Sequence, residues 1–340
     1  MTDREKIKEL KKAVAPFSKS QNAISIRQLV NTLLPLLVLW GTGYALFDVL
    51  PWVSVICAIV ASAFVVRTFI IFHDCTHGSF FKNRKANQIV GNITGVLTTF
   101  PYEQWRREHL IHHAHSSNLD ERGIGDIWMM TTEEYAEASK FQRFCYRAYR
   151  NPLVMFGLGP LFLILVVNRM TKKGVKRKEI INTHMTTVVL ILMLVALSLI
   201  FGWQAMLVVQ MLSMYVAAML GIWLFYIQHT FEDSYFENEQ DWDYVKAAVE
   251  GSSYYELPKV LQWVSGNIGY HHVHHLAPRI PNYELEEAHE KTPPLQKVTT
   301  ITLKTSITSL RFKLYDASNK RFITFKEYAA LRGTSNRGLL

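Results

Sequence analysis

The residues of this sequence best suited to chemistry are histidines, thirteen of them, grouped and not scattered. His73 and His77 stand in HDCTH at spacing i, i+4. His109, His112 and His113 stand in HLIHH at i, i+3, i+4, and His271, His274 and His275 repeat that spacing in HHVHH. On a helix, separations of three and four residues put side chains on one face. Each cluster can therefore offer its imidazoles to one place, while His272 falls about 100° around the helix from His271. These eight imidazoles exceed the roughly four to six ligands of a single ion, so two metals are the economical reading.

Spacing alone does not name the element, because imidazole suits zinc, copper, iron and nickel. A zinc-protease reading fails: there is no H-E-x-x-H, since Glu108 precedes His109 and Asp74 follows His73. No nucleophile motif accompanies a Cys–His or Ser–His pair, and Cys75 lies between two candidate ligands. Cys57, Cys75 and Cys145 follow neither a disulfide nor a zinc spacing and read as packing residues. His115, His184, His272 and His289 stay outside the ligand set.

Ligands in three separate stretches must be brought together by the elements that carry them, and those elements are apolar. The 340 residues are 49% hydrophobic and 19% charged, which places a membrane class first. Leu29 to Phe47, Trp52 to Phe72, Thr183 to Leu199 and Gln204 to Gln228 approach the roughly 20 residues that cross a hydrocarbon core. Arg67 is the one full charge inside them, close enough to a helix end to snorkel to the interface. From Trp52 to His77 a helix would rise about 39 Å, more than the roughly 30 Å core, so it can carry His73 and His77 out of the bilayer.

The spans form two hairpins, one turning at Asp48 to Pro51 and the other at Gly202. The expected fold is an all-α integral membrane protein: four transmembrane helices in two hairpins under a cytoplasmic helical cap holding a histidine-rich di-metal site. One domain covers residues 1–340, with the cap at 73–182 and 229–340. Ile89 to Phe100 is too short to cross. Leu153 to Val167 is marginal and broken by Gly157, Gly159 and Pro160. A lone crossing there would separate the histidine clusters and put the basic run Arg169, Lys172, Lys173, Lys176, Arg177 and Lys178 outside, against the positive-inside tendency, so it reads as interfacial or re-entrant. Met1 to Lys12 has no apolar core behind it, so no cleavable signal is expected and the N-terminus stays cytoplasmic. The net charge of +9 comes with no nucleic-acid-binding motif, and the basic run suits lipid head groups.

HDCTH, HLIHH and HHVHH, in this order and beside two hairpins, resemble the three histidine boxes of membrane fatty-acid desaturases. FIIFHDCTHGSFF, SSNLDERGIGDIW, GIWLFYIQHTFEDSYF and GNIGYHHVHHLAPRIPNYEL are similar to the Bacillus-type acyl-lipid desaturases, the group that includes Δ5 enzymes. The similarity covers about Leu29 to Tyr283. It implies two iron ions (Fe2+/Fe3+), O2 as co-substrate, and a cis double bond placed in the acyl chains of phospholipids. The chemistry agrees: an alkyl methylene is too weak an acid for any side-chain base, and zinc has no redox chemistry.

The resemblance also implies a ninth ligand, His229, from the rim of the fourth span, and a ferredoxin or flavodoxin as electron donor, since no stretch of about 100 residues is left to hold a redox cofactor. Asp74, Asp126, Glu232 and Asn267 are candidates to orient ligand imidazoles through the second ring nitrogen. Two rivals stand beside this reading. One is an acyl-chain hydroxylase on the same di-iron site. The other is a membrane metal-binding or transport protein, which would want Asp, Glu or His well inside the spans, where there are none.

Overall fold

The computed structural model describes residues 3–172 and 174–335; Met1, Thr2, Lys173 of the basic run and residues 336–340 lie outside it. Four helices are long and apolar enough to cross a membrane: Asn22–Leu46, Pro51–His77, Arg177–Phe201 and Trp203–His229. They contain the expected spans, save Phe47, which caps the first helix, and run beyond them. Hydropathy stops where polar residues begin, but a helix continues when those residues find partners. On the first span Ser25 Oγ donates to Phe80 O (2.5 Å) and Gln28 Nε2 to Asn282 Oδ1 (2.8 Å).

Pro51 opens the second span, where a missing N–H costs nothing. Gly78, at φ 67°, closes it with its N–H on Cys75 O (3.1 Å). That left-handed cap suits glycine, and it ends the helix one residue after His77. The second span is the hub of the four: 61% of its apolar window is buried inside the protein, against 11% for the third. The third presents Val188, Leu192 and Leu199 outward, as the first presents Leu34, Leu37 and Val38, an apolar exterior suited to lipid.

Arg67 departs from expectation. It is buried rather than snorkelled: its Nε donates to Thr32 Oγ1 (3.1 Å), Nη1 donates to Trp263 O, and the guanidinium lies 3.9 Å from the Trp263 ring centroid. The protein satisfies it in place of head groups, tying two spans to the segment just before the third histidine cluster.

Between the hairpins, Ile89 to Phe100 falls mostly on Arg84–Leu97, a helix against the second span with Ile89 and Ile93 exposed. The Leu153 to Val167 stretch is a wide helical turn, Leu153–Leu158, followed by Gly159–Leu165, and the piece Leu153–Arg169 bends 64° away from Lys140–Tyr149. A rise of about 26 Å is short of the core thickness, which is consistent with a re-entrant or broken piece. The fold is mostly helical, with two small sheets that the sequence reading did not include. Met130–Thr131 runs parallel to Leu314–Asp316, which pairs antiparallel with Arg321–Ile323; Tyr254–Glu256 runs parallel to Thr300–Thr302. Strands of two or three residues are too short to show an alternating pattern. Cys57 and Cys75 are buried and Cys145 half-buried, all as free thiols.

Candidate metal centre

Four elements deliver the histidines. His73 and His77 occupy the end of the second span, and His229 is the last residue of the fourth. His109, His112 and His113 ride on Tyr102–His115; His271, His274 and His275 ride on the short helix His271–Leu276. Their nitrogens gather into two groups. His73, His77, His109, His113 and His274 offer ligand atoms within 4.8 Å of one another, and so do His112, His229 and His275. His271 joins the second group, its Nε2 2.9 Å from His229 Nε2 and 3.0 Å from His275 Nε2. The groups adjoin, with the His113 and His275 ring centroids 4.3 Å apart.

The boxes do not map one to a group. His109 and His113 face the first group while His112 faces the second; His271 and His275 face the second while His274 faces the first. A helix advances about 100° per residue, so positions i+3 and i+4 diverge by that angle. One HxxHH helix can therefore serve two sites at once, and two such helices facing each other bridge them.

The donor set fits metal ions. Within the first group, His113 Nε2 lies 2.9 Å from His274 Nε2 and 3.1 Å from His109 Nε2. A neutral imidazole has one N–H and one lone pair, so such a crowd of ring nitrogens leaves lone pairs facing one another. Among the described residues His77 Nε2 and His112 Nε2 are buried with no hydrogen-bond partner, a cost that a cation would remove. Burial first, and then one another's charge, push His109, His113, His271, His274 and His275 well below the ordinary imidazole value. They are held neutral at physiological pH, the form that ligates.

A second layer fixes several rings. His73 Nδ1 lies 3.1 Å from Asp74 Oδ1, and Asp74 Oδ2 accepts from Asn282 N (2.7 Å) and Asn282 Nδ2 (2.8 Å). His112 Nδ1 lies 2.5 Å from Asp126 Oδ1, while Gly123 N donates to Asp126 Oδ2 (3.0 Å). His229 Nδ1 donates to Gly251 O (3.2 Å). An acceptor behind Nδ1 places the proton there and leaves the Nε2 lone pair for the ion. Burial raises the Asp126 carboxyl, but the His112 hydrogen bond and charge and the Gly123 N–H outweigh it and hold it below the usual range. Trp105 stacks on His109 with centroids 4.2 Å apart.

Two of the expected orienting residues lie elsewhere. Glu232 is exposed and pairs with Arg321 (3.3 Å). Asn267 adopts left-handed backbone (φ 58°), and its Nδ2 donates to Asn282 O (3.2 Å). Among the described residues neither side chain bonds an imidazole. His272 turns away from both groups to His289, Nε2 to Nδ1 3.0 Å, and His184 is exposed. Asn282 and Trp105 were not singled out from the sequence, although Trp105 precedes His109 by one helical turn and that spacing is visible.

Known proteins are similar to this chain in sequence over most of its length. The fatty acid desaturase family model matches residues 14–302. A fatty acid desaturase of Bacillus subtilis is 54% identical over 321 residues, covering 94% of this chain and 91% of its own. An sn-1 oleoyl-lipid 12-desaturase of Synechocystis is 26% identical over 73% of this chain and 71% of its own, and a chloroplastic omega-6 fatty acid desaturase of Arabidopsis thaliana is 28% identical over 65% and 49%. With a family match over most of its length, four apolar helices and histidines converged at their ends, the chain belongs to the fatty acid desaturase family.

Proposed function

We propose that this chain is an oxygen-dependent acyl-lipid desaturase with a di-iron centre, working at the cytoplasmic face of the membrane. The observation that carries the reading is the convergence of nine imidazoles, five in one group and His112, His229, His271 and His275 in the other, from four elements onto one buried place. His73, His77, His109, His113 and His274 would hold one iron and the remaining four the other. Bound there, the irons would supply the redox chemistry with O2 that an unactivated C–H bond requires.

The chain's own residues do the positioning. Asp74, Asp126 and Gly251 O hold protons on the Nδ1 atoms of His73, His112 and His229, keeping the opposite nitrogens bare. Trp105 packs on His109 and Phe225 on His112, with Phe72 behind Trp105, and these rings exclude water. Removing two hydrogens from adjacent methylenes while O2 becomes two waters consumes two electrons and two protons from outside. A ferredoxin or flavodoxin is the proposed electron donor.

Metal analysis and product analysis together test the reading. Gently purified, active protein is expected to contain two irons per chain and to need both O2 and a reductant to form an unsaturated acyl product. Turnover without O2, or active protein with one ion or none, refutes it; a hydroxylated product would keep the centre and change the outcome.

A further inference from the structure

Behind the second imidazole group lies a cavity of about 40 Å³, bordered by His112, His229, Asp126, Arg150 and Ser117. It is on the Nδ1 side of both rings, away from the Nε2 atoms that face the centre: Asp126 bonds His112 Nδ1, and Ser117 adjoins Gly251, whose carbonyl accepts from His229 Nδ1. At on the order of 15 Å³ per water-sized group, it has room for a small ion or two to three waters. Arg150 is 2% exposed. Its Nη2 donates to Phe312 O (2.9 Å) and Tyr226 Oη (3.3 Å), while its Nε is buried with no partner. Its chargeable neighbours are the phenols of Tyr146, Tyr149 and Tyr226, and among the described residues no carboxylate forms an ion pair with it. A second cation adjoins it, with Lys313 Nζ donating to Arg150 O (2.8 Å). The other charges on the wall are engaged: Asp126 with His112 and Gly123, Arg122 with Leu119 O and Glu134. Water satisfies a spare Nε–H but leaves a buried positive charge uncompensated, and that is the larger cost.

Ser117 supplies a second donor. Its Oγ is buried with no partner, and its backbone sits in the left-handed region (φ 62°), which a non-glycine residue adopts rarely. The surrounding chain holds it there: Ser117 O accepts from Glu237 N (3.1 Å), and Gly251 leaves the hydroxyl its place, since a Cβ on that residue would collide with Ser117 Oγ. Backbone strain of this kind clusters at ligand sites.

An Nε–H and an O–H both call for an acceptor, and the charge left to balance is a single positive one. Beyond the hydroxyls of Ser116 and Thr230 the rest of the wall is apolar, Ile127, Met129, Phe225 and Phe322 among it. Such a wall suits a halide, which carries one charge and needs few donors; phosphate or sulfate would bring more charge and more oxygens than one guanidinium and a few hydroxyls can satisfy. We infer that Arg150 and Ser117 bind a small monovalent anion of halide type, at a site behind the imidazoles and separate from the metal centre. Bound there, the anion fixes Arg150, which clasps Phe312 O and Tyr226 Oη, and Tyr226 stands one helical turn before His229. It steadies the junction where the fourth span, the carrier of His229, meets the C-terminal segment.

The test follows the thermal midpoint of the intact, purified, metal-loaded protein in gluconate, an anion too large for the cavity, as chloride or bromide replaces it at constant ionic strength. The midpoint is expected to rise saturably, by about 4 °C at a hundredfold excess over the half-saturating concentration. The same rise after a chelator has removed the metal separates this site from a halide bound to a metal ion. Ser117→Ala is expected to raise the half-saturating concentration about tenfold or more, and Arg150→Gln to abolish the saturable rise. In crystals grown with bromide, the anomalous peak should fall between Arg150 and Ser117. A midpoint insensitive to halide, a rise lost with the metal, or a rise unchanged in both variants overturns the inference. A bromide peak without saturable stabilisation marks an adventitious ion only and overturns it as well. Should Arg150→Gln fail to fold, Ser117→Ala and the bromide peak decide. None of these outcomes bears on the desaturase reading, which stands or falls on iron content and product.

Discussion

Replacing Asp74 by Asn keeps the shape of the side chain and removes its charge, so it isolates what the carboxylate does for His73. Asp74 Oδ2 accepts two hydrogen bonds from Asn282 and Oδ1 faces His73 Nδ1. In Asp74→Asn the amide oxygen must stay toward the two Asn282 donors, which leaves its NH2 facing an N–H. His73 can relieve that clash only by moving its proton to Nε2, the nitrogen needed for the metal. Losing a charge-assisted hydrogen bond costs about 1.5–3 kcal/mol, or roughly 10- to 150-fold in ion affinity. That range agrees with the roughly 10- to 100-fold expected when a group orienting a metal ligand is lost. The assay is iron retained after graded exposure to a chelator, measured on protein expressed and purified beside wild type. Asp74→Asn is expected to lose iron at chelator concentrations at least tenfold lower. Glu232→Gln is the control: its exposed pair with Arg321 is worth about 0–1 kcal/mol at most and touches no imidazole. Equal iron retention in Asp74→Asn and wild type would refute the tautomer argument.

His229→Ala is expected to abolish desaturation and lower iron content, while His184→Ala, on an exposed position, changes neither; full iron and normal product in His229→Ala would leave the centre to the eight box histidines. The metal-free protein should lose stability as pH falls below about 6.5. The folded state holds His109, His113, His271, His274 and His275 well below that value. The unfolded chain therefore takes up protons first, by about 1.4 kcal/mol per pH unit for each histidine; a thermal midpoint flat between pH 7 and about 5.5 contradicts this. Cysteines introduced beside His113 and His275 should resist an impermeant reagent applied outside intact cells, as the proposed cytoplasmic placement of all three boxes requires; labelling from outside contradicts that placement. With an acidic donor at limiting concentration, turnover should fall as salt rises, through screening of the basic residues proposed to face the donor; a flat response removes the steering claim.

The gathering of the histidines was legible because the chemistry expected of them demands repetition. One imidazole says little, but HxxxH and HxxHH encode a helix face directly, and apolar length encodes the helices that carry them. Their supports were less legible because most depend on a contact distant in sequence. Asp74 stood next to His73, and Asp126 stood 14 positions from His112, yet both meet imidazoles. Glu232 and Asn267 stood only one helical turn from His229 and His271 and do not, since proximity along the chain leaves the direction of a side chain open. Asn282 holds Asp74 across 208 positions, a separation at which no local pattern operates. Arg67 misled for the same reason: its depth in an apolar helix suggests head groups, and its partners Thr32 and Trp263 appear only once the fold closes. The division of labour within a box lay between these cases. The angle of about 100° between successive residues is a property of the helix, so a box that faces two sites could be read in advance. Which group each histidine joins follows only from where the opposing helix stands, and His274, placed with the first group while its neighbours His271 and His275 turn to the second, is where the two facing helices lock the two groups together.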